Sequence, residues 1–199
     1  MRVILASHNA HKLYEVRALF NGAGSEAGVE IIGLDAFPHI PEAPEDHDTF
    51  AANALQKAHF VREYTGGVVV ADDSGIEIAA LDWAPGVYSK RFTPEGSDSS
   101  NNARVLRELD GVADRRARYR CVIAVVSDAG EATAHGVCWG EIGDQPRGDG
   151  GFGYDPLFWP VDYPGRTMAE VSLEEKNKVS HRARAFGQLP GLLSGLGLS

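Results

Sequence analysis

The sequence is poor in several things that would each have named a function. It has only two cysteines, Cys121 and Cys138. They stand too far apart for a C-x-x-C redox pair or a zinc knuckle. Both fall in runs that read as strands, so they are expected as reduced, buried thiols acting as small hydrophobes. Cationic excess is also missing, since the formal net charge is −9. Nucleic-acid polymers are bound through Lys and Arg against phosphate, so no such partner is expected. A small anionic substrate is not excluded, because a few local cations and a metal suffice for it. No apolar run approaches the roughly 18 residues of a membrane span. Val3 to Ala6 is too short for a signal-peptide core. With neither a targeting pattern nor a disulfide pattern, the expected location is cytoplasmic, with no membrane partner. Internal repeats, low-complexity segments and a Walker P-loop are likewise absent, and the first strand–helix turn lacks G-x-G-x-x-G, which disfavours a Rossmann oxidoreductase.

What is present is an ordinary globular composition. Of 199 residues, 43% are hydrophobic and 24% charged. That fits one domain, residues 1–199, with two lobes and a real core. Val3 to Ala6 reads as a short buried strand, followed by a polar loop over Ser7 to His11. A helix follows to about Phe20, with Leu13, Val16, Leu19 and Phe20 on one face. Gly22 and Gly24 are expected to end it. Glu30 to Leu34 reads as a strand and Pro38 to Asp48 as an acidic loop. Thr49 to Tyr64 reads as a helix capped by Asp48 or Thr49. Val68 to Ala71 and Ile76 to Leu81 read as two short strands. Between them stands Asp72-Asp73-Ser74-Gly75, where Ser74 and Gly75 permit a turn. Asp98 to Leu109 is helical. Tyr119 to Ser127 and Thr133 to Ile142 flank a hairpin turn at Asp128-Ala129-Gly130. Leu157 to Trp159 is a last short strand. Ser172 and Glu175 form a capping box that opens a late helix, which Pro190 interrupts or ends. Early alternation of strands and helices, then a hairpin, predicts an α/β protein with a mixed sheet.

Five segments carry candidate chemistry. Ser7-His8-Asn9-Ala10-His11-Lys12 joins a strand to a helix start, where free N–H groups and the helix dipole attract anions. Lys12 is unfavourably placed against that dipole unless an anion binds; the bland alternative is a surface lysine on an ordinary loop. His8 and His11 without a third ligand are weak metal evidence. Asp72 and Asp73 sit after an apolar strand, where carboxylates can hold Mg²⁺ or orient water; alternatively they belong to a simple turn. On a continuing strand their side chains would point to opposite faces. Glu42, Glu45, Asp46 and Asp48 make an acidic loop that is usually only solvated, ahead of Asn53 and Lys57 on one helical face. Gly150 to Pro156 offers close backbone approach, Phe152 to stack on a base and Asp155 to accept from ring N–H groups. Lys176, Ser180, His181 and Arg182 offer donors, or else a solvated basic face. Together these supply what nucleotide chemistry needs.

In order and spacing these segments match a known family. They are Ala6 to Lys12, Thr49 to Ala58, Ala71 to Gly75, Pro85 to Ser89, Gly151 to Pro156 and Glu175 to Arg182. The chain resembles the inosine triphosphate pyrophosphatase family, whose bacterial members are called dITP/XTP pyrophosphatases. The match covers nearly the whole chain, and the full ordered set is highly specific. The resemblance implies an enzyme, a nucleoside triphosphate pyrophosphohydrolase. It would convert ITP, dITP and XTP to the monophosphate and pyrophosphate, clearing deaminated purines from the nucleotide pool. It implies an elongated, two-lobed α/β fold around a mixed sheet, Mg²⁺ dependence and a homodimer. By position, Asp73 matches the general base, and Glu45 and Asp73 match metal-binding positions. Ser7, His8, Asn9, Ala10, His11 and Lys12 match the triphosphate loop, with Lys57 and Ser74 nearby. Phe152, Gly153, Tyr154 and Asp155 match the base-binding segment; Lys176, His181 and Arg182 match the remaining nucleotide contacts. Two departures stand out: His47 where bacterial relatives often carry glycine, and Pro190 cutting the late helix. Competing readings are a nucleotide sensor without hydrolysis and a pyrophosphatase with another base preference.

Overall fold

The computed structural model describes residues 1–21 and 28–198. Gly22 and Gly24, expected to end the first helix, lie outside the described residues. The strands are β1 (Arg2–Leu5), β2 (Glu30–Gly33), β3 (Val69–Ile78), β4 (Arg116–Ser127), β5 (Gly130–Ile142) and β6 (Phe158–Pro160). Among the described residues they form one six-stranded sheet in the order β2-β1-β3-β4-β5-β6. β1 is parallel to β2, with Val3 opposite Ile31, and parallel to β3, with Leu5 opposite Val70. β5 and β6 are antiparallel, with Glu141 opposite Trp159. The sheet is therefore mixed, as the order of elements predicts.

The helices are α1 (Ala10–Asn21), α2 (Phe50–Thr65), α3 (Asp98–Glu108), α4 (Leu173–Val179), α5 (His181–Phe186) and α6 (Leu189–Gly195). Their starts follow from local chemistry. Thr49 accepts from the Ala52 N–H and Ser97 from the Ser100 N–H, satisfying donors that a helix start leaves open. Ser172 and Glu175 close the expected capping box on α4. Gly66, at φ +62°, ends α2 in a conformation that side chains resist. No described helix is long and apolar enough to cross a membrane.

The chain forms two compact units. The first comprises Met1–Asp73, Cys121–Gly136 and Arg182–Ser199; the second comprises Ser74–Arg120 and Val137–His181. In the first unit, strand alternation decides what lies on each face. Val3, Leu5 and Val70 pack with Leu13, Val16 and Phe20 of α1 and with Phe186 and Leu189. Val69 and Ala71 pack instead with Ala58 and Val61 of α2. Continuing that period of two, Asp72 falls on the α1 side and Asp73 on the α2 side. The second unit buries Ile76, Ile78, Leu109, Tyr119, Ile142, Leu157 and Phe158 together. Both cysteines are free and buried, as expected.

Two expectations are corrected. Asp72 to Gly75 is not a turn between two strands; β3 runs through it without a break, and nine of its ten residues are buried. Local Asp-Ser-Gly chemistry favours a turn, but cations on both faces hold the carboxylates in line. Gly75 marks close backbone approach instead: a Cβ there would sit 2.3 Å from the Gly86 carbonyl oxygen and 2.4 Å from Ser89 Oγ. The late helix is also not one element. It breaks at Ser180, whose ψ of 153° is extended, so Lys176 rides on α4 while His181 and Arg182 open α5. Pro190 lies in the first turn of α6 and starts that helix rather than ending one.

Candidate functional site

The first unit buries charge. Asp72 and Asp73 are 1% and 5% exposed in the middle of β3. Carboxylates removed from water need partners, or they cost several kcal/mol each. On the α1 side, Asp72 Oδ2 accepts from Lys12 Nζ at 2.8 Å and lies 3.6 Å from Arg182 Nη2. Arg182 is buried in turn, and its Nη1 donates to Glu15 Oε2 at 2.5 Å. On the α2 side, Asp73 Oδ2 accepts from Asn53 Nδ2 at 3.0 Å, and its Oδ1 lies 3.6 Å from Lys57 Nζ. The same Lys57 ammonium donates to Glu45 Oε1 at 2.7 Å. Asn53 is oriented by the His47 N–H, which it accepts at 2.9 Å, and Gln56 ties Asp46 to the same helix. The acidic loop is thus folded back on α2, with Glu45 half-buried and Glu42 exposed.

The two neighbouring carboxylates titrate in opposite directions. Burial would raise Asp72, but Lys12, Arg182 and Lys57 hold it well below the usual carboxylate range. Asp73 is raised by burial and further by Glu45, against the pull of Lys57 and Lys12. Burial works against a charged Lys57, yet Asp73, Asp72 and Glu45 outweigh it and lift its pKa above the ordinary lysine value. Cys121 is pushed up to about 12 by burial and by Asp72, so it stays a thiol.

The loop from Ser7 to Lys12 is arranged by its own side chains. Ser7 Oγ accepts from the Asn9 N–H, and Asn9 Oδ1 accepts from the N–H groups of His11 and Lys12. His8, Asn9, Ala10 and His11 are exposed, while Lys12 turns inward to Asp72. That carboxylate offsets the unfavourable position of a cation in the first helical turn. Among the described residues no three His, Cys, Asp or Glu side chains converge as a ready-made metal cage. Glu45 and Asp73, which share Lys57, are hard oxygen donors of the kind Mg²⁺ takes in ones and twos beside phosphate oxygens.

The second unit builds a different site. Asp155 is 3% exposed, and its carboxylate gathers donors from three directions. Oδ1 accepts from Tyr119 OH at 3.2 Å; Oδ2 accepts from Lys176 Nζ at 2.7 Å and from the Phe152 N–H at 3.0 Å. Lys176 Nζ also lies 5.0 Å from the Phe152 ring centroid, within cation–π range. The His181 ring stacks on Tyr119, with centroids 4.7 Å apart and 10° between the planes. Tyr154 OH donates to the Ser89 carbonyl at 2.6 Å. Gly151, at φ +71°, leaves no room for a side chain, since a Cβ would sit 2.1 Å from Asp155 Oδ2. Ser74 is half-buried in β3. The basic residues near the end of the chain are therefore not a solvated face: Lys176, Ser180, His181 and Arg182 are all buried.

With this geometry in place, comparison with known proteins is decisive. The chain matches the Ham1 family over residues 3–191. It belongs to that family. Curated relatives named dITP/XTP pyrophosphatase include one from Ralstonia nicotianae, 48% identical over 94% of each chain. Another, from Geobacter sulfurreducens, is 46% identical over 99% of this chain and 98% of the relative. The solved Ham1 protein of Coxiella burnetii is 39% identical, covers 98% of this chain and 99% of that one, and superposes with a TM-score of 0.84. The Staphylococcus aureus Ham1 protein is 34% identical, with the same coverage and a TM-score of 0.83.

Within this Ham1 chain, several residues near the candidate groups carry no distinctive sequence signal. Asn53 was visible only as a polar residue four before Lys57. Glu15 lies three after Lys12 on α1, which is a helical neighbour spacing, but nothing local says that it meets Arg182. Tyr119 reads as one more aromatic in a strand, and its importance comes entirely from Asp155 and His181.

Proposed function

We propose that the protein hydrolyses deaminated purine nucleoside triphosphates, namely ITP, dITP and XTP, to the monophosphate and pyrophosphate. The observation that carries this reading is the pair of buried, adjacent carboxylates on opposite faces of β3, each met by a lysine from a different helix. The names of the curated relatives support the substrate class. Asp73 aligns and deprotonates a water for attack on the α-phosphorus. Asp72 stays ionised and fixes Lys12. The ammonium groups of Lys12 and Lys57 exchange carboxylate for phosphate oxygens and offset charge that builds on the leaving pyrophosphate. Glu45 and Asp73 would hold Mg²⁺, which when bound supplies Lewis-acid polarisation of phosphate oxygens. Because a carboxylate is a weak base, positioning must contribute much of the rate.

On the base side, Phe152 stacks on the purine, and His181 and Arg182 present donors that a 6-oxygen accepts. Adenine carries an amino donor there and would leave those groups unsatisfied, which discriminates strongly. Glu15 and Asp72 fix the direction of Arg182. The homodimer and the cytoplasmic setting belong to the same reading and rest on the family resemblance.

The test is direct. The protein is incubated with Mg²⁺ and, separately, dITP, ITP, XTP, GTP and ATP, and pyrophosphate and free phosphate are measured. Pyrophosphate mainly from the first three is expected. Free phosphate alone would place the attack at the γ-phosphorus and overturn the role of Asp73. Binding without product would make the protein a sensor.

A further inference from the structure

Gly153 sits inside the segment assigned to the base and is gripped on both of its backbone polar groups by α3. Its N–H donates to Asp98 Oδ2 at 2.6 Å, and its carbonyl accepts from Asn102 Nδ2 at 3.0 Å. Asp98 and Asn102 are four residues apart, so they share one face of α3. Asn102 Oδ1 is buried and has no hydrogen-bond partner among the described residues. The bond to Gly153 is therefore what orients this amide.

Besides the bond from the Asp155 N–H to the Phe152 carbonyl at 3.3 Å, side-chain packing on Gly153 is sparse. Its φ is +64°, and a Cβ built on it would meet nothing within 4 Å. An open cavity of about 460 Å³ is lined by α3 and the glycine loop, with Asp98, Asn102, Leu106, Phe152 and Gly153 among its walls. Apolar packing is thus weak at this point, and a glycine peptide rotates at small steric cost. Its neighbours are tied elsewhere: Phe152 N–H and Asp155 to each other, and Tyr154 to Ser89. The α3 grip is the tie that acts on the N–H and the carbonyl of Gly153 itself.

We propose that Asp98 and Asn102 are positioning residues for purine selectivity, holding the Gly153 peptide so that Phe152 and Asp155 meet the base in one fixed arrangement. This rests on the base-binding role given above to Phe152 through Asp155. Neither residue touches the reacting atoms, so the effect falls on KM and selectivity rather than on turnover.

The experiment compares wild type, the double variant Asp98→Ala/Asn102→Leu, the single variant Asn102→Leu and the conservative Asp98→Asn, which keeps an oxygen acceptor. For each, kcat and KM are measured with dITP and dATP, and Tm is recorded. The double variant is expected to raise KM for dITP about tenfold and hold kcat within about twofold. Its preference for dITP over dATP should narrow about fivefold. Asp98→Asn should stay near wild type. Should the double variant fail to fold, Asn102→Leu alone is expected to show the same pattern at about a third of the size. A folded variant with unchanged KM and preference would overturn the clamp alone, provided wild type prefers dITP. A wild type with no preference between dITP and dATP would overturn the base-site reading, and the clamp with it.

Discussion

The two units of this Ham1 protein place their candidate groups by different physics. In the first, Lys12, Lys57 and Arg182 answer Asp72, Asp73, Glu45 and Glu15 through ion pairs. Two of those ammonium groups hold carboxylates that phosphate oxygens can replace. In the second, Asp155 is enclosed by directional donors, His181 is stacked on a ring, and Gly151 fits without space for a side chain. A triphosphate asks for charge that can be redistributed during reaction. A purine edge asks for donors and acceptors that do not move. Substitutions among the lysines and carboxylates of the first unit should therefore alter turnover, and substitutions in the second should alter KM and selectivity.

The largest effect expected is from Asp73→Asn. Asparagine keeps the bond to Asn53 and the volume in β3 but cannot take a proton. Turnover with dITP should fall by about 10³-fold, within the range for loss of a general base. Nucleotide affinity, measured by calorimetry with a non-hydrolysable analogue, should change by no more than about threefold. A variant with near-normal turnover would remove Asp73 from the chemistry and blur the contrast between the units.

Much of this contrast was readable in the sequence, and the exceptions have physical causes. The capping signals of α2 and α4 are local, so Thr49 and the Ser172–Glu175 box marked those starts within a residue or so. Asn53 and Lys57 were placed on one face by helical spacing alone. The Asp72–Gly75 stretch was misread because its local preference is for a turn. The cations that keep it extended lie far away in the chain, at Lys12, Lys57 and Arg182. The break at Ser180 was invisible for a similar reason: no Gly or Pro marks it, and its reward includes the burial of His181 beside Tyr119 and of Arg182 beside Glu15. Asp155 was read as an acceptor for the base, but how fully its carboxylate is engaged by Tyr119, Lys176 and the Phe152 N–H needed three-dimensional information.

Gly151→Ala tests the fixed geometry of the second unit. The new Cβ would meet Asp155 Oδ2 at 2.1 Å and would also have to adopt φ +71°. Overpacking and backbone strain of this kind cost about 1–3 kcal/mol. The expected readout is KM for dITP raised about tenfold with kcat nearly unchanged. Gly153→Ala sharpens the test, because it meets only the strain of φ +64° and no clash. Its KM should rise less; equal effects would mean that the loop has no tight fit at Gly151.

A smaller change follows from Tyr119→Phe. The ring keeps its stack on His181, and Asp155 Oδ1 loses the hydroxyl that now donates to it. An acceptor left unsatisfied in the interior costs about 1–3 kcal/mol. Thermal unfolding should register that loss, and KM for dITP should rise by about threefold, with kcat retained. A fall in kcat without a change in KM would instead tie Tyr119 to the chemistry of the first unit.

The smallest effect concerns the helix that carries Lys176. Glu175 accepts from Arg166 Nη2 at 2.8 Å and Nη1 at 3.2 Å, and from the Ser172 N–H at 3.0 Å. The Arg166 bonds, then the Ser172 N–H, hold its pKa down to about 2. In the unfolded chain a glutamate titrates at about 4.3. A folded-state pKa below the unfolded one contributes stability that is complete above the unfolded value. That stability is lost as pH falls through the window toward the folded value. Glu175→Gln removes the charge at every pH, so it should lower Tm slightly near neutrality. The gap from wild type should close between about pH 5 and pH 2, where wild type loses the same charge. Comparing the two proteins cancels the other carboxylates that titrate over this range. A Tm difference that stays constant down to pH 2 would show that the ionised capping box does not hold the start of α4. It would leave the position of Lys176 to contacts outside the capping box, its bond with Asp155 among them.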